Sequence, residues 1–123
     1  MSAPVQIDKV VRVNEFEIVK FQLMAHAFIK EIRLNETELN VLTLLGVLGE
    51  TRLKRFCEIV TEKGYLANYT SANNCLTRIS QSKLFLKKGV GKKLIYLNPE
   101  IGIHSKGTIL LNYKLVKVES EGV

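Results

Sequence analysis

Apolar and polar residues alternate over residues 5–13, where Val5, Ile7, Val11 and Val13 keep a period of two and only Val10 falls out of step. That alternation predicts a strand. From Asn14 the period lengthens. Phe16, Val19, Leu23 and Ala27 make one helical stripe, and Ile18, Phe21, Ala25, Phe28 and Ile32 make a neighbouring one. A helix over residues 14–31 is therefore apolar around much of its girth. Such a helix lies at the centre of a core or is half covered by a second subunit.

Three shorter helical patterns follow. Asn35, with Glu38 three residues later, has the form of a capping box. The helix it opens, residues 36–48, carries Leu39, Leu42 and Leu45 beside Val41, Leu44 and Leu48, and Gly49 ends it. Thr51 is positioned to cap the next helix, residues 52–63, with Leu53, Phe56, Cys57 and Val60 facing inward and Gly64 as the stop. Ser71, or Thr70 before it, is expected to cap a further helix to about residue 82, with Ala72, Cys75, Leu76 and Ile79 as its buried stripe.

Beyond this helix the pattern becomes that of a hairpin. Residues 84–88 and 93–98 are apolar-rich runs around Gly89-Val90-Gly91-Lys92, where glycine supplies the positive φ of a tight turn. Pro99 closes the second run because it cannot donate to a ladder. Residues 100–107 read as a loop. Ile109, Leu111, Tyr113 and Leu115 then alternate within a last predicted strand over residues 108–118. No repeat, linker or low-complexity stretch interrupts the chain. With 123 residues, a single α+β domain over 1–123 is expected.

Charge changes the picture more than composition does. The net charge of +6 is unevenly spread: residues 1–66 balance at zero, residues 67–118 carry +8, and the last five residues carry −2. The positive half is the one that holds the last helix and the hairpin, as a nucleic-acid-binding face requires.

The stretch YTSANNCLTRISQSKLFLKKGVGKKLIYLNP, residues 69–99, now carries a resemblance. Helix, turn, helix, then a strand at Leu84, a Lys-Gly turn at residues 87–91 and a closing Tyr96-Leu97-Asn98-Pro99 resemble the winged helix-turn-helix domains of plasmid and bacteriophage replication initiators and related phage proteins. The resemblance covers about residues 34–99. It implies a three-helix core with a β-hairpin wing at 34–99, extended by the strand and helix of residues 1–33 and by the loop, strand and tail of residues 100–123. It further implies double-stranded DNA as partner. Helix 71–82 would be the recognition helix, presenting Ser71, Asn73, Asn74, Thr77, Arg78 and Gln81, with Lys83 just after it. Lys87, Lys88, Lys92 and Lys93 of the wing, residues 87–93, would lie on phosphates. Asn and Gln suit adenine edges, Arg suits guanine, and lysines on phosphates make affinity depend on salt.

Other chemistries find little support. Cys57 and Cys75 sit among apolar neighbours, too few for a zinc site, and read as buried inert thiols. His26 falls on an apolar helix and His104 in a loop, neither beside a carboxylate or thiol in sequence. No paired carboxylates, phosphate loop or nucleophile elbow is present, so no enzyme activity, metal or cofactor is expected. No apolar run approaches the roughly 20 residues of a membrane span, and no basic start precedes an apolar segment, so a cytoplasmic protein of a bacterial or phage-infected cell is expected. A regulator or replication accessory factor, paired as a homo-oligomer through its apolar first helix, is the leading reading. The other is a bacteriophage virion component, in which the winged helix docks phage structural proteins in a ring or shell.

Overall fold

The structure, a computed structural model, describes residues 5–11, 14–106 and 109–115, the first and last of these by their backbone alone. The described residues form an α+β fold: four helices, a three-stranded antiparallel sheet and a separate two-stranded ribbon. No helix among them is long and apolar enough to cross a membrane.

Strand β1, Val5–Val11, pairs antiparallel with β5, Ile109–Leu115, over seven residues. The register sets Val5 against Leu115, Ile7 against Tyr113 and Val11 against Ile109, three apolar pairs, while Leu111 meets Lys9. Alternation predicts both strands, but not their pairing. The expected strand positions 12, 13, 108 and 116–118 lie outside the described residues.

Helix α1, Glu15–Ile29, starts at Asn14, whose Oδ1 accepts the Glu17 amide at 2.8 Å. Ile18, Val19, Leu23 and Ala27 are buried. Most of the second expected stripe is not, because Phe21 and Phe28 face solvent. Helix α2, Glu36–Leu48, has the capping box in full: Asn35 Oδ1 accepts from the Glu38 amide and Glu38 Oε1 from the Asn35 amide. Its stripes are buried except at the last turn, where Leu48 is exposed. Lys20 of α1 pairs with Glu36 at 2.5 Å and ties the two helices at their edge.

Two caps are elsewhere than the sequence suggests. Thr51 does not cap a helix. With Arg52 it forms a short strand, β2, Thr51–Arg52, hydrogen-bonded to β4, Leu94–Leu97, and its hydroxyl donates to the Gly49 carbonyl. The first amide of α3, Leu53–Glu62, is instead satisfied by the Lys93 carbonyl at 2.7 Å. At the far end of α3 the Gly64 amide donates to Thr61 and the Tyr65 amide to Val60, a Schellman closure with Gly64 at φ 79°. The second correction concerns α4, Tyr69–Ser80, which is capped by Asn68 and not by Ser71 or Thr70: Asn68 Oδ1 accepts the Ser71 amide at 2.9 Å. Asn is among the best N-caps, and starting at Tyr69 puts Ala72 inside the first turn, already facing the core.

Strand β3, Phe85–Lys88, pairs with β4 across a five-residue loop, giving the sheet order β2-β4-β3. The core gathers Val19 and Leu23, the leucines of α2, Phe56, Cys57 and Val60, the α4 stripe, and Leu84, Phe85 and Ile95. Gly46 sits at its tightest point, where a Cβ would come within 2.6 Å of Val19 Cγ1 and 2.7 Å of Leu97 Cδ1. α2 can thus pass this close to α1 and β4 only without a side chain at that position.

Candidate nucleic-acid interface

Helix α4 has two faces. Ala72, Cys75, Leu76 and Ile79 anchor it to the core. Asn74, Thr77, Arg78 and Gln81, at spacings of three and four, are all exposed and share the opposite face. Ser71 and Asn73 are half-buried at its margin. The Thr77 hydroxyl donates to the Asn73 carbonyl at 2.9 Å, which leaves its oxygen lone pairs outward while its proton is held by the helix.

A tight corner joins this helix to the hairpin. Lys83, exposed, takes a left-handed backbone at φ 57°, and its carbonyl accepts from Asn98 Nδ2 at 3.0 Å. Asn98 also donates its own amide to the Leu84 carbonyl and accepts the Glu100 amide on Oδ1, capping a 3₁₀ turn at Pro99–Ile101. One side chain thereby fixes the start of β3 against the end of β4. This is the structural role of the Asn in Tyr96-Leu97-Asn98-Pro99. A second clamp lies on the following loop: the Gln22 side chain accepts from the His104 amide and donates to the His104 carbonyl.

The four hairpin lysines do not form one patch. Lys87 is the register partner of Ile95, on the sheet face that carries Phe85 and Ile95 into the core. Lys88, beside Leu94, lies on the other face. There its Nζ is 2.7 Å from Glu50 Oε1 and 5.1 Å from the centre of the Tyr96 ring. The hydrogen bond to Glu50, and then that carboxylate's charge, hold the Lys88 ammonium above its usual range. Lys92 and Lys93 are exposed at the loop, where Gly89, Gly91 and Lys92 all have positive φ and Val90 projects almost fully into solvent. Among the described residues Lys87, Lys92 and Lys93 make no ion pair.

Two residues of this surface escape a reading of the sequence. Arg52, exposed on β2, is the register partner of Leu94 and so stands in one row with Leu94 and Lys88. Glu50 is the anion that occupies Lys88. Neither carries a local signal, since a two-residue strand has no periodicity to read. Arg55 adds no free charge, because Glu58 and Glu62 hold its guanidinium at 3.2 and 3.3 Å.

The two thiols are buried and unpaired with each other, as their apolar surroundings suggest. Burial pushes both above the ordinary thiol value. A groove of about 390 Å³ between α2 and the end of β4 is lined by Gly46, Tyr96, Leu97 and His104 among others, with no carboxylate or thiol. Among the described residues no group of three or more His, Cys, Asp or Glu side chains could hold a metal ion. The chemistry on offer at α4 and the hairpin is hydrogen bonding and charge: amides, a hydroxyl and a guanidinium on one helix face, and ammonium groups on the adjoining loop. No family model, no characterised protein and no solved structure matches this chain.

Proposed function

We propose that this chain is a non-enzymatic DNA-binding protein with a winged helix-turn-helix, acting as a regulator or replication accessory factor. The observation that carries the reading is the exposed row Asn74, Thr77, Arg78 and Gln81 on a helix that runs through one fixed corner into a basic hairpin. Three of that hairpin's lysines have no ion-pair partner among the described residues. In this reading α4 enters the major groove, where Arg78 pairs with a guanine edge and Asn74 or Gln81 with an adenine. Lys87, Lys92 and Lys93 grip phosphates alongside. The acid-poor C-terminal half keeps the duplex from meeting repulsion as it approaches.

The test is fluorescence anisotropy of the protein with random duplex DNA across a salt series, beside the triple variant Lys87→Ala, Lys92→Ala, Lys93→Ala. Each lysine withdrawn from a phosphate should lower the slope of log K against log salt by about 0.9. Wild-type protein that binds no duplex even at low salt would overturn the proposal.

A second reading is favoured by different observations. The exposed face of α4 has only Arg78 as a base, Lys88 is already engaged by Glu50, and α1 presents apolar side chains to solvent. A virion component that uses the same fold to dock phage structural proteins would have these features. It would leave the triple lysine variant indistinguishable from wild type in the same titration.

A further inference from the structure

A second basic cluster lies where the end of α1 meets the corner after α4. Between them runs a cleft of about 380 Å³, to which α1 gives His26 and Lys30, the corner gives Lys83, and the residue after β4 gives Asn98. His26 and Lys30 are four positions apart and so share one side of α1. Lys83 reaches the same cleft from a left-handed backbone, φ 57°, which glycine or asparagine adopts more easily than lysine. The bond from Asn98 Nδ2 to its carbonyl holds it there.

Positive charge beside helix C-termini is in part an ordinary complement to their dipoles. Here both ends are closed by backbone amides: the His26, Ala27 and Phe28 carbonyls accept from Lys30, Ile32 and Glu31, and the Ile79 and Ser80 carbonyls from Ser82 and Lys83. Among the described residues neither Lys30 nor Lys83 makes an ion pair. Glu100, the one acid lining the cleft, pairs with neither, so two lysines stand against a single carboxylate before His26 is counted.

We propose that this cleft binds a phosphate group carried on a small organic moiety, with Lys30 and Lys83 on its oxygens. Lysines serve as point charges for phosphate, and two of them answer a charge that a single carboxylate ligand does not carry. The neutral imidazole of His26 has one ring N–H to donate, and Asn98 Nδ2 has a second hydrogen beyond the one given to Lys83. The rest of the cleft suits what the phosphate is attached to. Its volume is at the small end of the roughly 300–1,000 Å³ of small-molecule sites, more than a bare oxyanion fills. Ile32, Leu84 and Ile101 supply apolar wall for a sugar or a base. Such a phosphate has two sources, a free mononucleotide or a nucleic-acid strand lying past the end of α4.

Amide NMR of the protein titrated with adenosine monophosphate to about 10 mM at constant ionic strength tests it, a range that covers millimolar dissociation constants. For a free mononucleotide, saturable shifts are expected at the amides of Lys30, Ser82, Lys83 and Asn98, and adenosine without its phosphate should not produce them. Lys30→Gln, at an exposed position, should weaken that binding several-fold with its melting midpoint unchanged. A duplex titration, the one arm that rests on the DNA-binding reading, identifies the second source. If the phosphate belongs to a strand, Lys30→Gln lowers the salt slope of duplex binding by about 0.9, and Lys63→Gln, exposed after α3 and outside the cleft, leaves it in place. Wild-type protein that binds no duplex ends the DNA-binding reading and leaves the monophosphate arm to decide this one. The cleft is no phosphate site if monophosphate causes no saturable shift there and Lys30→Gln changes duplex binding no more than Lys63→Gln, or if adenosine alone gives the same shifts.

Discussion

Lys88 Nζ lies 2.7 Å from Glu50 Oε1, joining the end of β3 to the residue just before β2 across a sheet in which β4 stands between them. Both groups are about half exposed, so the pair is worth little to the fold. On the proposed DNA-binding reading its weight is in function, since a lysine already facing a carboxylate has less charge to offer a phosphate. Glu50→Gln keeps the shape of the side chain and frees the ammonium. It should strengthen duplex binding several-fold at moderate salt and steepen the salt slope by about 0.9, leaving the thermal midpoint in place. Anisotropy beside a melting curve separates these effects, and an unchanged slope would mean that Lys88 is remote from the phosphates.

Gly46 gives the sharpest stability prediction. A methyl group there would sit 2.6 Å from Val19 Cγ1, and Val19 is fully buried and has nowhere to retreat. Gly46→Ala improves helix propensity by up to about 1 kcal/mol, yet overpacking of this kind costs about 1–3 kcal/mol. A lower urea midpoint with an unchanged m-value is expected. A midpoint equal to or above wild type would show that α1 and β4 can move apart freely.

Asn98 ties three backbone groups at the corner between α4 and the hairpin. Asn98→Ala retains the main-chain bond to Leu84 but removes the cap on Glu100 and the bond to the Lys83 carbonyl. Together these are worth roughly 1–2 kcal/mol. The same change should free the hairpin relative to α4, so hydrogen exchange at the amides of residues 85–88 and 94–97 should speed up more than at α2. Uniform acceleration across both regions would assign Asn98 to global stability alone.

What can be read in the chain is local. The capping box at Asn35 and Glu38, the stripe Ala72-Cys75-Leu76-Ile79 and the glycine turn at Gly89 and Gly91 each lie within about one or two turns of chain, and each is present in the structure. What escapes the reading depends on residues far apart in sequence. Thr51 and Arg52 are a strand only because Leu94 and Ile95 lie beside them, and no pattern two residues long announces that. The choice among Asn68, Thr70 and Ser71 as cap is open locally, since all three can accept from a helix amide, and packing of Ala72 decides it. The alternation in β1 and β5 is legible, but their mutual register requires the intervening chain to fold. For the candidate interface, the polar row on α4 is visible from spacing, while the engagement of Lys88 by Glu50 is not, because the two are 38 positions apart.

The thiols supply a prediction with a pH dependence. Burial raises Cys57 first and its neighbour Cys75 adds to the shift, and burial is likewise the leading cause at Cys75. Both side chains are fully buried, so iodoacetamide at mildly alkaline pH should leave them unmodified in the folded protein and alkylate both in urea. In the unfolded chain each thiol loses its proton near the ordinary value of 9.0, while in the fold it keeps it to higher pH. Above that value the unfolded state binds fewer protons than the native one, so stability is fully present below pH 9.0 and falls as pH rises through the raised native values. Urea denaturation at a series of pH values across this window should show the decline, with a shallower slope in Cys57→Ala, Cys75→Ala than in wild type. The double variant will be less stable overall from the poorer packing, but that offset is constant with pH and leaves the slope readable. Equal slopes in the two proteins would show that the alkaline sensitivity does not come from the two thiols.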